Sequence, residues 1–370
     1  MPLVVWAVDP DRVRRGHLQV LDCSAVLRDA DVGTFQVTTV LDDLGAQLGD
    51  GWRVVIQDEA GTLLSGPITS RNPDPLDGTL MLDGVSDLVH VQDKVVLPDP
   101  SRAGDAQTAD AYYKRSGAAE TIIRDMVHEN AGTGIHSSRT RYAGFTVTTS
   151  QGRGSTVRTN LRYKNLLEES RALARLGGVT FDAIQEESTN IVLRFRAPVD
   201  RSRSVRFTER NGGVTEASFS LDAPTATTVF VAGQGEGAAR NIISRSRATS
   251  WGRSIEVFKD QRDTDDAAEL EQSAIEQLDE GAAGAGAQFS VTEVPGLVFG
   301  ADYALGDTVT VEAGRLTISE PVRAVELTWD GHGREATLTL GDHDQADNKT
   351  PAWVKRIKKL DARLRGMEVR

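Results

Sequence analysis

Val322-Arg323-Ala324-Val325-Glu326-Leu327-Thr328-Trp329 sets Val325, Leu327 and Trp329 on one face and Ala324, Glu326 and Thr328 on the other. A period of two is the mark of a strand that buries one face. The same pattern recurs along both ends of the chain. Leu21, Cys23, Ala25 and Leu27 alternate with Asp22, Ser24 and Val26, and Trp52, Val54 and Ile56 alternate with Arg53 and Val55. Further β-like runs cover 34–40, 62–68, 79–82, 88–97, 179–183, 191–195, 218–221, 227–231, 242–247, 288–292, 308–311, 316–319 and 336–340. Turn residues at 58–61 and 72–78 punctuate them, and strands spaced this closely point to antiparallel barrels or sandwiches.

Three helices interrupt the pattern. Ala119, Ile122, Ile123, Met126 and Val127 share one helical face before Gly132, and Asn165 is an N-cap for a second helix that stops at Gly177-Gly178. Asp263 or Thr264 is read as the cap of a third, with Leu270, Ala274 and Leu278 spaced by four and a flexible glycine loop over 281–286. Pro98–Gly104 reads as a linker. The fold class is therefore α+β and mainly β: two related antiparallel β-barrel-like domains flanking a smaller mixed α/β domain, with a C-terminal helix. The expected boundaries are 1–100, 101–200, 201–345 with an inserted helix at about 264–280, and 346–370.

An internal repeat supports the two β-domains. Leu48-Gly49-Asp50 precedes two strand runs, Pro67 and a strand closing on Leu82-Asp83-Gly84; Leu305-Gly306-Asp307 precedes two strand runs, Pro321 and a strand closing on Leu340-Gly341. The offset is 257 at the Leu-Gly-Asp and 254 at the proline. A three-residue discrepancy leaves generic hairpin grammar as the rival reading. Two equivalent domains per chain would let a trimer form a quasi-sixfold ring.

The chain has 370 residues, two to three domains' worth at about 150 each. With 42 basic and 54 acidic residues its net charge is −12, and aromatics make up 5%. Neither suits a general binder of nucleic acid or anionic membrane. The single cysteine, Cys23, rules out an intrachain disulfide and fits a reducing compartment. No signal peptide or membrane span is expected, because charge breaks every apolar run.

Motifs for chemistry are weak. Gly233-Gln234-Gly235-Glu236-Gly237-Ala238 matches a relaxed dinucleotide fingerprint, but β-branched Ile242 and Ile243 follow where a helix is needed, so a glycine-rich turn is expected. His128-Glu129 lacks a second histidine, since Gly132 stands there. Asp342-His343-Asp344 with His332 crowds possible metal ligands, yet three near-contiguous ligands cannot enclose a metal. Asp265-Asp266 and Glu168-Glu169 suit helix starts. No cofactor, no metal and no catalytic residue is expected.

The last twenty residues hold seven basic and two acidic side chains, so the preceding 350 carry −17. Pro351 suits a helix start, and Trp353, Ile357, Leu360 and Leu364 then form a seam for another helix. Folding back on its own domain, docking on a neighbouring subunit and contact with an anionic surface all remain open to it.

These residues carry a resemblance. The Gly233–Arg240 stretch after a β run and, above all, Phe299-Gly300-Ala301-Asp302-Tyr303-Ala304-Leu305-Gly306-Asp307-Thr308-Val309-Thr310-Val311 resemble tail proteins of tailed phages, of the baseplate-hub or minor tail type. The resemblance spans nearly the whole chain. It implies a structural, non-enzymatic hub: a homotrimer whose two barrel-like domains per subunit make a pseudo-sixfold ring on the tail tube or distal tail ring. Spike, fibre or tip proteins would attach beyond it, DNA would pass only as cargo, and no membrane would be a partner. The location implied is the distal tail of the virion, after synthesis in the host bacterial cytoplasm. Asp302, Tyr303, Gly306 and Asp307 match the family motif and are read as shaping the start of a strand, with Gly233, Gly235 and Gly237 in a second structural turn. Many hubs continue into a peptidoglycan-cleaving extension, for which about thirty residues after the last strand run leave little room. The alternative function is a cell-wall glycan-binding or hydrolysing tail protein, which would show a cleft of exposed aromatics and carboxylates.

Overall fold

The computed structural model describes residues 3–341 except 186–187, 212–213, 215, 263, 292–295 and 331–332. The expected helix at 346–370, with Trp353, Ile357, Leu360 and Leu364, lies outside the described residues, as do His332 and 342–344. The first hundred residues form β1 (Val4–Val8), β2 (Arg14–His17), β3 (Val20–Arg28), β4 (Thr34–Val40), α1 (Asp43–Gln47), β5 (Arg53–Asp58), β6 (Gly61–Asp74), β7 (Thr79–Val85) and α2 (Val89–Gln92). The middle holds β8 (Tyr113–Ala118), α3 (Ala119–Asn130), β9 (Phe145–Val147), β10 (Thr156–Leu161), α4 (Leu166–Gly177), β11 (Thr180–Gln185) and β12 (Ile191–Arg196). The remainder holds β13 (Arg206–Thr208), β14 (Glu216–Asp222), β15 (Thr228–Ala232), β16 (Ile242–Ser246), β17 (Glu256–Asp260), α5 (Ala267–Glu280), β18 (Gly284–Val291), β19 (Thr308–Ala313), β20 (Leu316–Asp330) and β21 (Gly333–Gly341).

Local chemistry explains most of these limits. The Asn165 side chain accepts from the Leu167 and Glu168 N–H groups to start α4, and Gly178 ends it in the left-handed region at φ 68°. Three expectations need correction. The 88–97 run is not a strand but contains α2, because Leu88 and Val91 bury one turn apart. Helix α5 is capped by Asp266, which accepts from Ala268 and Glu269, while Thr264 turns inward and its hydroxyl accepts from the Asp266 N–H. The glycine-rich stretch is no loop as far as 286, since β18 begins at Gly284.

The barrel expectation is corrected too. Eight strands run β6-β7-β4-β3-β20-β21-β18-β14 through one sheet, which β5, β1 and β2 extend beyond β6, and no path among the described residues closes on itself. The two ends of the chain are joined edge to edge, Cys23–Arg28 pairing antiparallel with Ala324–Trp329. They also share one core, in which Val37 and Leu82 lie with Phe289 and Leu338. The middle region has its own core around Ile123, Met126, Leu166 and Phe181, and α5 packs on β15 over a third and smaller one.

The register makes the repeat explicit. In β6, residues up to Pro67 pair with β5, and Ile68 onward pairs with β7. In β20, residues up to Pro321 pair with β19, and Val322 onward pairs with β21. The ladder shifts between Ile68 and Ser70 in one and between Val322 and Ala324 in the other, the same bulge at the same offset of 254. The order β6-β7-β4-β3 is thus repeated as β20-β21-β18-β14. Between β14 and β18 the second copy carries an insertion, β15 to α5, where the first copy has only the short link from β3 to β4.

Candidate functional site

The long sheet has two unlike faces. Residues paired directly across strands point to the same side. Cys23, Val37, Leu82, Phe289, Val325 and Leu338 therefore share the core side. The opposite side carries Asp22 and Ser24 of β3, Gln36 and Thr38 of β4, Asn72 and Asp74 of β6, and Met81 and Asp83 of β7. It continues with Ser218, Ser220 and Asp222 of β14, Gln288 and Ser290 of β18, Glu326, Thr328 and Asp330 of β20, and Glu335, Thr337 and Thr339 of β21. Seven of these are acidic, and Arg28, at one end of β3, is the basic member among the paired residues of that face.

Short polar contacts tile this face. The Gln36 side-chain N–H donates to Asp83 Oδ1 at 2.8 Å, and the Ser290 and Thr337 hydroxyls are 3.1 Å apart. Burial raises the Asp83 carboxyl above its ordinary range, although the bond from Gln36 works against the shift. Apart from Arg28 at one end of β3, this wall of hydroxyls, amides and carboxylates offers phosphate groups no cationic partner among its paired residues.

The sequence motif sits behind this sheet. Gly306 takes φ 82°, and its N–H donates to the Val322 carbonyl at 2.7 Å. Asp307, 1% exposed, accepts from Arg196 Nη1 at 2.6 Å, the Val199 N–H at 2.9 Å, Arg201 Nε at 3.1 Å and the Ala304 N–H at 3.1 Å. Burial alone would push this carboxyl up, but the Arg196, Val199 and Arg201 donors outweigh it and hold it below the ordinary range. Asp302 Oδ2 accepts from the Val298 N–H at 2.8 Å, and the buried Tyr303 ring packs edge-on to Phe207 and Phe299. Asp307 thus ties the segment that leaves β12 to the strand β19 that follows it.

Gly233, Gly235 and Gly237 lie elsewhere, in the insertion. They turn the chain from β15 to β16, with Gly235 at φ 112° and Gly237 at φ 54°, and Arg240 donates to the Gly233 carbonyl at 2.7 Å. The two motifs belong to different cores and form no common site.

Two features escaped the sequence reading. The first is a buried ion pair: Arg53 and Asp87 have side chains fully removed from solvent, with Arg53 Nη2 2.6 and 2.5 Å from the two Asp87 oxygens. Ser65 Oγ donates to Asp87 at 2.5 Å, Arg53 Nη1 donates to Tyr142 Oη at 3.2 Å, and the Gln185 N–H donates to Ser65 at 2.7 Å. The cluster pins the β-sheet to the middle region, and partners 22 to 120 residues apart leave no spacing signal. The second is a cleft of about 450 Å³ between β6, β11 and 299–305. Its rings Phe181, Phe195 and Phe299 are buried, and its acids Asp31 and Asp182 are paired with Arg171 and Arg194, so it presents no aromatic platform for a glycan. Cys23 is buried, which with Asp22 pushes its thiol up to about 12, far from a nucleophile's range. Among the described residues no cluster of His, Cys, Asp or Glu could hold a metal, and no helix is long and apolar enough to cross a membrane.

A family model described as Siphovirus ReqiPepy6 Gp37-like protein matches residues 2–342. The chain belongs to that siphovirus family. Solved structures share the fold of this family member across most of its length. The prophage MuSo2 43 kDa tail protein from Shewanella oneidensis is 12% identical, with a TM-score of 0.58 over 91% of this chain and 97% of that one. A tail protein from Neisseria meningitidis MC58 is 10% identical, with a TM-score of 0.56 over 92% and 97%. Prophage tail protein gp18 from Listeria monocytogenes EGD-e is 14% identical, with a TM-score of 0.54 over 98% and 99%. No curated protein matches the sequence.

Proposed function

We propose that this chain is a structural hub of the siphophage tail tip: a homotrimer forming a pseudo-sixfold ring that joins the tail tube or distal ring to tip, spike or fibre proteins. The shared fold of three phage tail proteins supports a tail role. The observation that carries the ring is the junction between the two copies. The β3 edge of the first copy meets β20, the counterpart of β6, in the second, a head-to-tail contact. Head-to-tail contacts leave both outer edges open and complementary, and they close into rings when the rotation permits. Here the open edges are the bulged half of β6 and the free side of β14, so three chains would contribute eight strands each to one closed wall.

The acidic and hydroxylated face then lines the channel, and DNA slides past it without adhering. Light scattering on the purified chain should give three times 40.0 kDa, and negative-stain images should show a threefold ring with a central hole. A strict monomer at micromolar concentration overturns the ring. An experimental ring with a basic inner wall overturns the channel.

A further inference from the structure

We propose that the cleft beside β6 is a socket for a second copy of this chain, entered by Leu221 at the end of that copy's β14; the inference rests on the ring reading above. The internal repeat supplies the template. Ala25 pairs with Phe35 and Phe35 with Gly84, just as Phe219 pairs with Ala287 and Ala287 with Leu340. Gly84 and Leu340 face Ile68 and Val322, the residues before the shared bulge. Leu27 and Leu221 therefore hold equivalent positions. Leu27 lies opposite Val325 of β20 and is 7% exposed, whereas Leu221, with no strand beyond β14 among the described residues, is 56% exposed.

The counterpart of Val325 in the first copy is Arg71. Beside it opens a cleft of about 500 Å³, with Leu41, Leu48, Ile68, Pro73 and Leu80 in its lining. Arg71 donates to the Leu48 carbonyl and to Asp50, which lays its methylene stem along the cleft and leaves apolar surface for an incoming side chain. The equivalent space in the second copy is already closed. Asp29, just after β3, donates its N–H to the Arg323 carbonyl at 2.9 Å and accepts from the Arg323 guanidinium at 2.6 Å. It also stands 3.2 Å from where a Gly306 Cβ would be.

Repeating that step between chains sets Leu221 against Arg71 and the leucines, Ser220 opposite Asn72 and Phe219 opposite Pro73. Pro73 offers no N–H to the newcomer, so the ladder between chains is thinner than the one within the chain and side-chain burial carries more of the contact.

Cysteine cross-linking of the full chain tests this, because Cys23 is fully buried and introduced thiols stand alone. Ser220→Cys with Asn72→Cys should give disulfide-linked dimers and trimers on mild oxidation, while either single variant should give none. Leu221→Asp should weaken association at least tenfold by light scattering without changing the thermal melt of the monomer. A trimer that does not cross-link, links in a single variant, or undiminished assembly of Leu221→Asp each overturns the socket while the ring stands. A chain that is monomeric throughout overturns both.

Discussion

Removing the carboxylate of Asp87 isolates a cation whose side chain is fully buried. Arg53 and Asp87 are both 0% exposed, and Asp87 accepts two bonds from Arg53 and one from Ser65. Asp87→Ala leaves the guanidinium its bond to Tyr142 Oη at 3.2 Å and takes away its countercharge. Breaking such a pair from one side costs about 3–5 kcal/mol. At about 2–4 °C per kcal/mol for a unit of this size, the melting temperature should fall by roughly 6–20 °C. The double variant Arg53→Met with Asp87→Leu removes both charges and takes a partner from the Ser65 and Tyr142 hydroxyls and from His90 Nε2, which stands 3.4 Å from Asp87, at about 1 kcal/mol apiece. Its stability should lie above that of Asp87→Ala, and with Arg53→Met and Asp87→Leu as the single variants the double-mutant cycle should give a coupling energy of about 2 kcal/mol or more by urea denaturation. A loss below about 1 kcal/mol for Asp87→Ala, or a double variant no better than the single, refutes the reasoning.

Three further outcomes follow. The lowered Asp307 carboxyl stabilises the fold above its unfolded value and loses that contribution as pH falls through the folded value; Asp307→Asn should therefore cost about 1–2 kcal/mol at pH 7 and progressively less below about pH 4, measured by urea melts across pH. The raised Asp83 has the opposite sign, since the unfolded chain ionises first; Asp83→Asn should be neutral to stabilising at pH 7, with the gain fading below about pH 4. A Cβ on Gly84 would stand 2.0 Å from the Phe35 ring and 2.4 Å from the Pro67 carbonyl, so Gly84→Ala should cost about 1–3 kcal/mol in the same assay.

Strands with one wet face were legible in the sequence because their period is local, as in Val325, Leu327 and Trp329 against Glu326 and Thr328. Helix ends marked by Asn165 and Gly178 were legible for the same reason. The union of the two β-regions was not. Which edge receives Cys23–Arg28 depends on a pairing some 300 residues away, and nothing in either strand's alternation names its partner. Asp307 was visible through its Leu-Gly-Asp motif, yet Arg196 and Arg201 were not, since arginines at separations above 100 follow no pattern. The three-residue discrepancy between the repeat's two offsets has local causes as well: the β5-β6 ladder shifts by one residue between Ile56 and Gln57 where the β19-β20 ladder has no irregularity, and the link from Asp50 to the Arg53–Pro67 pair is two residues longer than that from Asp307 to the Thr308–Pro321 pair.

The charge distribution ties the fold to the proposed role. The chain has 42 basic residues, and among the paired positions of the polar sheet face only Arg28 is one of them. A solvated surface with no further duty would mix both signs, because interspersed charges cost nothing there and aid solubility. In a channel wall the same mixing would be harmful. Each arginine touching a phosphate releases counterions and adds to a sequence-independent hold on DNA, so a few per subunit, multiplied around a ring, would stall a passing duplex. The insertion from β15 to α5 leaves the sheet at Asp222 and returns at Gly284, at the end of β14 and the start of β18, and the first copy has no counterpart. A ring of three chains would therefore present six equivalent four-strand units to its lumen but only three insertions elsewhere. Such a part suits the step from a sixfold tube to a threefold tip, because one duplicated sheet keeps the channel uniform while a single unduplicated insertion breaks the symmetry.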